Sequence, residues 1–99
     1  MRPGDIQKMM QMQKKLQDAQ EEIGRTEYVG KATGVNVFIL GVRQLVDIQI
    51  QPEMFEDRDM LRDAIVIAVN SGLKQIEDAH QKAVTDITGG MIPGGKLPF

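Results

Sequence analysis

Cysteine is absent from this 99-residue chain, and histidine occurs once. Without cysteine the chain forms no disulfide and no thiolate metal site, and the absence fits a reducing, intracellular setting. The single histidine, His80, cannot build a zinc site without other strong ligands. The N-terminal stretch MRPGDIQKMM has no apolar signal core, and no apolar run approaches the roughly 20 residues of a membrane span. These absences predict a soluble, cytoplasmic protein without a metal or cofactor.

The chain is short for a protein that has neither disulfides nor a metal to stabilise it. At this length a monomer buries roughly 60–65% of the surface that its unfolded chain exposes, so a core built by one copy is marginal. Oligomerisation is the remaining way to bury more apolar surface. The sequence therefore predicts that a second copy of the chain completes the hydrophobic core.

The first segment, from about Asp5 to Arg25, has the pattern of an α-helix. Its apolar residues recur at alternating spacings of three and four, which is a heptad seam. The seam consists of Met9, Met12, Leu16, Ala19 and Ile23. Glutamine, lysine and glutamate fill the other faces, and all three are good helix formers.

Three short strands are predicted between Thr26 and Gln51, with Gly34 and Gly41 marking the turns that separate them. The third strand alternates between an apolar face and a mostly polar one. These faces are Val46, Ile48 and Ile50 against Leu45, Asp47 and Gln49. Because the connections are short, the strands are expected to form an antiparallel meander.

A second helix is predicted from about Arg58 to Thr88, with Asp57 or Asp59 as its N-cap. A helix of this length spans roughly 46 Å, whereas a strand of seven residues spans only about 23 Å. Half of the helix must therefore overhang the sheet. The stretch Met60–Val69 is apolar nearly all round after Asp63. From Leu73 onward one narrow apolar stripe remains, as in an arm that touches at most one other helix.

The predicted fold class is α+β, in the order α-β-β-β-α, with a three-stranded antiparallel meander and two long helices. One domain covers residues 1–88, and a Gly/Pro-rich C-terminal tail covers residues 89–99. The dimer interface is expected to combine the sheet with the apolar part of the second helix. Its predicted residues are Leu45, Ile65, Val66 and Val69.

No catalytic constellation is present, so an enzyme is not predicted. There is no cysteine nucleophile, and His80 has no serine partner at a known spacing and is expected to be solvated. The net charge is −2, but charge is segregated: residues 1–16 carry four basic residues against one acidic, and residues 53–63 carry two basic against five acidic. A basic helix face doubled by two-fold symmetry could bind phosphates. The alternative is a lysine-bearing helix face that is simply solvated.

Three stretches of the chain, in the same order, resemble the YbaB/EbfC family of bacterial nucleoid-associated proteins. They are IQKMMQMQKKLQDAQEEI (Ile6–Ile23), PEMFEDRDMLRDAIVIAVNSGLKQIEDAHQK (Pro52–Lys82) and GG-x-x-PGGKLPF (Gly89–Phe99). The sequence departs from the family at the second turn, where Leu40-Gly41 replaces the common Asn-Gly. It departs again at Gln51, where the family usually has Asp, and at Val46 and Asp47, in a strand that is often basic in relatives.

The resemblance implies a homodimer with projecting helical arms and a non-enzymatic DNA-binding role in the nucleoid, with little or no sequence specificity. The implied DNA contacts are the basic positions of the two helices: Lys8, Lys14, Lys15, Arg25, Lys74 and Lys82. The alternative function is a protein-interaction adaptor in DNA recombination or repair. Its partner would be a recombination-mediator protein, docked on the methionine-rich first helix and the apolar tail.

Overall fold

The chain folds as a helix, three strands and a long helix, in the order that the sequence predicts. A computed structural model describes residues 3–89. Its elements are α1 (Pro3–Arg25), β1 (Glu27–Ala32), β2 (Val35–Leu40), β3 (Gln44–Ile50), a short 3-10 helix (Pro52–Glu56) and α2 (Arg58–Thr88). The α+β class is confirmed, and α2 has the predicted bounds. Of the predicted tail, residues 90–99 lie outside the described residues.

The three strands form one antiparallel sheet in the order β1-β2-β3, which confirms the predicted meander. The core lies on one face of this sheet. Alternate residues of β2 point into it, and Val35, Val37 and Ile39 are almost fully buried. The helix α2 packs on β1 and β2 and makes little contact with β3.

The helix α2 approaches the sheet most closely where two glycines meet. A Cβ on Gly30 would lie 1.9 Å from the carbonyl oxygen of Ala68, and a Cβ on Gly72 would lie 2.8 Å from Cδ1 of Ile39. Ala64, Ala68 and Gly72 follow one another at four-residue spacing along the buried side of α2. The absence of a side chain at Gly72 therefore permits the close contact between α2 and the sheet.

The turn between β2 and β3 has three residues, Gly41 to Arg43, and its positive φ of 66° falls on Arg43 rather than on a glycine. The N–H of Arg43 donates to the carbonyl of Leu40 at 2.7 Å. A Cβ on Gly41 would lie 1.7 Å from the carbonyl oxygen of Ile23. Glycine is therefore required at this turn because the end of α1 lies against it, not because of backbone conformation.

A bulge in β3 places Leu45 on the opposite face from the predicted one. Phe38 pairs with Asp47, but Ile39 pairs with Leu45, so Val46 is an extra residue in the strand. Because directly paired residues face the same side of a sheet, Leu45 lies on the side of the buried Ile39. The prediction that Leu45 shares the polar face with Asp47 was wrong, since alternation along the sequence does not continue through a bulge.

The second half of α2 packs against α1 beyond the sheet. Its buried residues there are Ile76, Val84 and Thr88. Apart from Gly24, the residues of α1 that are not exposed are four members of the predicted seam: Met12, Leu16, Ala19 and Ile23. This packing agrees with the expectation that α2 overhangs the sheet and touches one other helix there. The parts of α1 and α2 that lie beyond the sheet are called the arm below.

Candidate nucleic-acid interface

Three lysines of α1 are exposed and take part in no salt bridge within residues 3–89: Lys8, Lys14 and Lys15. Lys8 and Lys15 are separated by two turns, so they lie on the same side of the helix, about 10 Å apart. Lys14 lies next to Lys15 and extends the basic surface around the helix. No carboxylate competes directly for these three ammonium groups.

The other three predicted DNA contacts are each paired with a carboxylate on their own helix. Arg25 lies 2.7 Å from Glu22, and the hydrogen bond that it donates raises its pKa above the ordinary value. Nζ of Lys74 lies 3.1 Å from Asp78, and Nζ of Lys82 lies 3.3 Å from Asp86. Exposed pairs of this kind contribute at most about 1 kcal/mol, so a phosphate can displace them. The displaced carboxylate would still repel that phosphate at short range.

Around the start of α2, from Glu53 to Asp63, five acidic residues stand against two basic ones. Asp57 is the N-cap: its side chain accepts a hydrogen bond from the N–H of Met60 at 3.0 Å. Of the two predicted caps, the structure therefore selects Asp57. Arg62 lies between Asp59 and Asp63, at 3.8 and 3.5 Å. This end of the molecule is unsuited to phosphate, whereas residues 4–16 of α1 carry three lysines against Asp5 alone and form the candidate surface.

His80 lies on the arm but is half-buried, whereas the sequence predicted a solvated side chain. Burial lowers the pKa of His80 below its ordinary value, and the Arg43 cation lowers it further. At neutral pH the imidazole is therefore uncharged and adds nothing to the basic surface. The sequence did not reveal this because the neighbouring cation comes from the β2–β3 turn, far along the chain.

Arg43 is an exposed cation that the sequence reasoning did not select. It lines a shallow cleft with residues of α2, among them Asn70 and Lys74. Within the described residues no salt bridge engages Arg43. Arg43 could have been found from the sequence by its position just before β3, because that strand is often basic in the resembled family.

The four predicted dimer-interface residues lie on α2 and β3. Leu45 and Val66 are each about half-exposed, whereas Ile65 and Val69 are partly buried against the core. The same two elements expose further large apolar side chains, namely Val46, Met60 and Ile67. An apolar surface that α2 leaves uncovered on β3 is typical of a protein–protein contact.

Among residues 3–89 the structure shows neither a helix that could span a membrane nor a cluster of side chains that could bind a metal. Across residues 3–89, neither helix combines the length and apolar character that crossing a membrane requires. The same residues contain no cluster of three carboxylate or histidine side chains that could hold a metal ion.

A family model described as the YbaB/EbfC DNA-binding family matches residues 3–91. The chain belongs to the YbaB/EbfC DNA-binding family. Two relatives named nucleoid-associated protein, from Polynucleobacter asymbioticus and Polynucleobacter necessarius subsp. necessarius, are 41% and 40% identical to it over 100 residues. Each alignment covers 97% of this chain and 94% of the relative. The YbaB/EbfC description names DNA binding and no catalytic activity.

A solved structure supports the fold independently. The crystal structure of an uncharacterized protein from Helicobacter pylori matches with a TM-score of 0.72 at 24% sequence identity. The match covers 90% of this chain and 99% of that one. At this identity the likeness concerns the fold, and it extends over almost the whole YbaB/EbfC domain.

Proposed function

We propose that this YbaB/EbfC protein is a non-enzymatic DNA-binding protein of the bacterial nucleoid, acting in the cytoplasm as a homodimer. In this proposal its helical arms bind the phosphate backbone with little sequence specificity. The observation that carries the proposal is the set of exposed lysines on α1, Lys8, Lys14 and Lys15, none of which is paired with a carboxylate within residues 3–89.

Binding through the phosphates explains how a protein with a negative net charge can bind DNA. What the phosphates meet is the local charge, and residues 4–16 of α1 carry the three lysines against one acidic residue, Asp5. Contacts to phosphate position a protein on DNA but carry no base information. Arg25, Lys74 and Lys82 are proposed as weaker contacts, because each must first leave its carboxylate.

Charge reversal on α1 tests the proposed surface. Lys14→Glu/Lys15→Glu should weaken binding by about tenfold or more in a mobility shift at low salt, because two phosphate contacts per copy are replaced by repulsion. The loss should be similar on unrelated DNA sequences. Loss on one sequence only would contradict binding through the phosphates.

A matched control separates the position of the charge from the total charge. Lys31→Glu/Arg58→Glu makes the same change in net charge at two exposed residues that also lack a salt bridge in the described structure. This variant should bind far better than the α1 variant. Equal losses would show that only the total charge matters.

The homodimer is proposed to form through the exposed apolar surface of β3 and α2. In sedimentation at micromolar concentration the protein should show twice its 11.0 kDa chain mass. Val66→Asp should shift it towards the monomer, because a buried, unpaired carboxylate is costly. Ile6→Asp, at the far end of α1, should leave the dimer intact. A folded wild-type monomer would refute the proposal.

A recombination-mediator protein is proposed as a further partner. The exposed Met9 and Met10 support a protein contact, because methionine side chains adapt to irregular apolar surfaces. In a pull-down with nuclease treatment this partner should remain bound. A partner that is lost with the DNA would show that the nucleic acid alone links the two proteins.

A further inference from the structure

The first turns of α1 stand alone, beyond the end of α2. Every residue from Gly4 to Gln11 is exposed, and Met12 is the first that is partly buried. On α2, by contrast, residues are buried as far as Thr88, the last of the helix. The helix α1 therefore covers α2 to its end and then continues without a neighbour in the described chain.

The lengths of the two helices agree with this protrusion. The β2–β3 turn lies against Ile23 through Gly41 and lines a cleft with Leu73 and Glu77 through Arg43, so Ile23 and this stretch of α2 lie at about the same level. From Ile76 to Thr88 α2 extends about 18 Å, whereas from Ile23 back to Pro3 α1 extends about 30 Å. The protruding end, residues 4–11, is thus about 12 Å long.

The protruding end carries an apolar row that leads into the lysines. Ile6, Met10 and Lys14 follow at four-residue spacing, so they are neighbours along one side of the helix. Ile6 is 46% exposed and Met10 is 63% exposed, with Met9 beside them at 52%. Large apolar side chains this exposed, on a surface otherwise made of Gln and Lys, indicate a surface that binds something.

The width of the helix selects the groove of DNA that it can enter. A single helix with its side chains is about 10–12 Å across, and the major groove is about 12 Å wide, whereas the minor groove is about 6 Å. Two packed helices have axes about 8–10 Å apart, so the paired part of the arm is too wide for either groove. Of the described residues on the arm, only residues 4–11 form an unpaired helix.

We propose that residues 4–11 of α1 enter the major groove, where Ile6 and Met10 contact thymine methyl groups. Lys8, Lys14 and Lys15 then lie beside the groove and bind its phosphates. This inference rests on the proposed function and adds a base contact to it. Thymine is the base that presents a methyl group in the major groove, so the added contact favours A·T pairs modestly over G·C pairs.

Charge favours DNA over other occupants of this apolar row. In residues 4–15 three lysines face one acidic residue, Asp5, and none of the lysines has a salt bridge within residues 3–89. A polyanion satisfies the lysines and the apolar row together. The chain's own C-terminal segment would cover the row but contains no acidic side chain. A second copy would have to bring its acidic residues at the start of α2 to the lysines, and the mass measurement described below tests that occupant.

Replacing thymine by uracil removes only the methyl group and tests the contact directly. Fluorescence anisotropy should be measured at low salt on a 20-base-pair A·T-rich duplex and on the same duplex with deoxyuridine. The full-length wild-type protein should bind the uracil duplex at least about fourfold more weakly, since losing even one buried methyl-sized group has that effect. The Ile6→Gln/Met10→Gln variant should bind both duplexes equally, which separates direct contact from any change in the duplex itself.

Phe55→Gln is the matched control, since Phe55 is 66% exposed but lies in the short 3-10 helix, outside α1 and the proposed dimer surface. It should discriminate as the wild type does. Equal wild-type binding to both duplexes would overturn the inference while leaving the proposed function intact, whereas no binding to either would refute both.

In the Ile6→Gln/Met10→Gln variant, a lower melting temperature would show that the row is covered by the chain itself, and a lower mass would show that it is covered by a second copy. Either result would also overturn the inference.

Discussion

Gly30 and Gly41 are required for the same physical reason: the backbone of another element passes where a side chain would begin. At Gly30 the obstacle is the carbonyl of Ala68 on α2, and at Gly41 it is the carbonyl of Ile23 on α1. Neither glycine has a positive φ. Both therefore fix how closely the helices approach the sheet, and so set the direction of the arm.

Gly30→Ala should destabilise the protein by about 1–3 kcal/mol in chemical denaturation, because the added Cβ forces α2 away from β1. The matched control is Gly4→Ala, where a Cβ would meet nothing within 4 Å. That substitution should be neutral, or stabilising by up to about 1 kcal/mol, because alanine favours the helix. Equal effects of the two substitutions would contradict the close packing at Gly30.

At the scale of elements, the start of α2 is capped by one side chain, that of Asp57. Asp57→Ala removes the acceptor for the N–H of Met60 and should cost about 1 kcal/mol of folding free energy. Asp59→Ala removes a charge from the first turn but no capping hydrogen bond, and should cost a few tenths of a kcal/mol. Thermal unfolding of the two variants should therefore differ, and a larger loss at Asp59 would exclude Asp57 as the cap.

The elements that periodicity specifies were predictable from the sequence. The seam of α1 and the bounds of α2 follow from local patterns, the heptad and the cap, and the structure has both. The bulge at Val46 and the positive φ of Arg43 were not predictable, because neither leaves a mark in the alternation of apolar and polar residues. The predicted face of Leu45 failed for the same reason.

The basic residues of the candidate site could be predicted from the sequence, but which of them are paired with carboxylates could not. All six basic residues were visible in the sequence, and only the structure separates three unpaired lysines from three cations held by carboxylates. The exposure of the first turns of α1 could not be predicted from the sequence either. The sequence shows Met9 as one more seam residue, whereas the relative lengths of the helices leave it beyond α2.

At the scale of the whole molecule, the separation of charge matters more than its sum. The net charge of −2 would oppose DNA if it were evenly spread. Instead residues 53–63 carry five acidic residues against two basic ones, whereas residues 4–16 of α1 carry three lysines against Asp5 alone. A dimer doubles the basic surface to six lysines, which is enough for a polyelectrolyte contact of moderate strength.

The dependence of DNA affinity on salt tests this account most directly. If the six lysines of a dimer each neutralise one phosphate, the logarithm of the association constant should fall with the logarithm of salt concentration at a slope of about −5. Between 50 and 200 mM salt the affinity should then drop about a thousandfold, with nearly the same slope on two duplexes of unrelated sequence. An affinity that does not change with salt, or no binding at the lowest salt, would contradict binding through the lysines of α1.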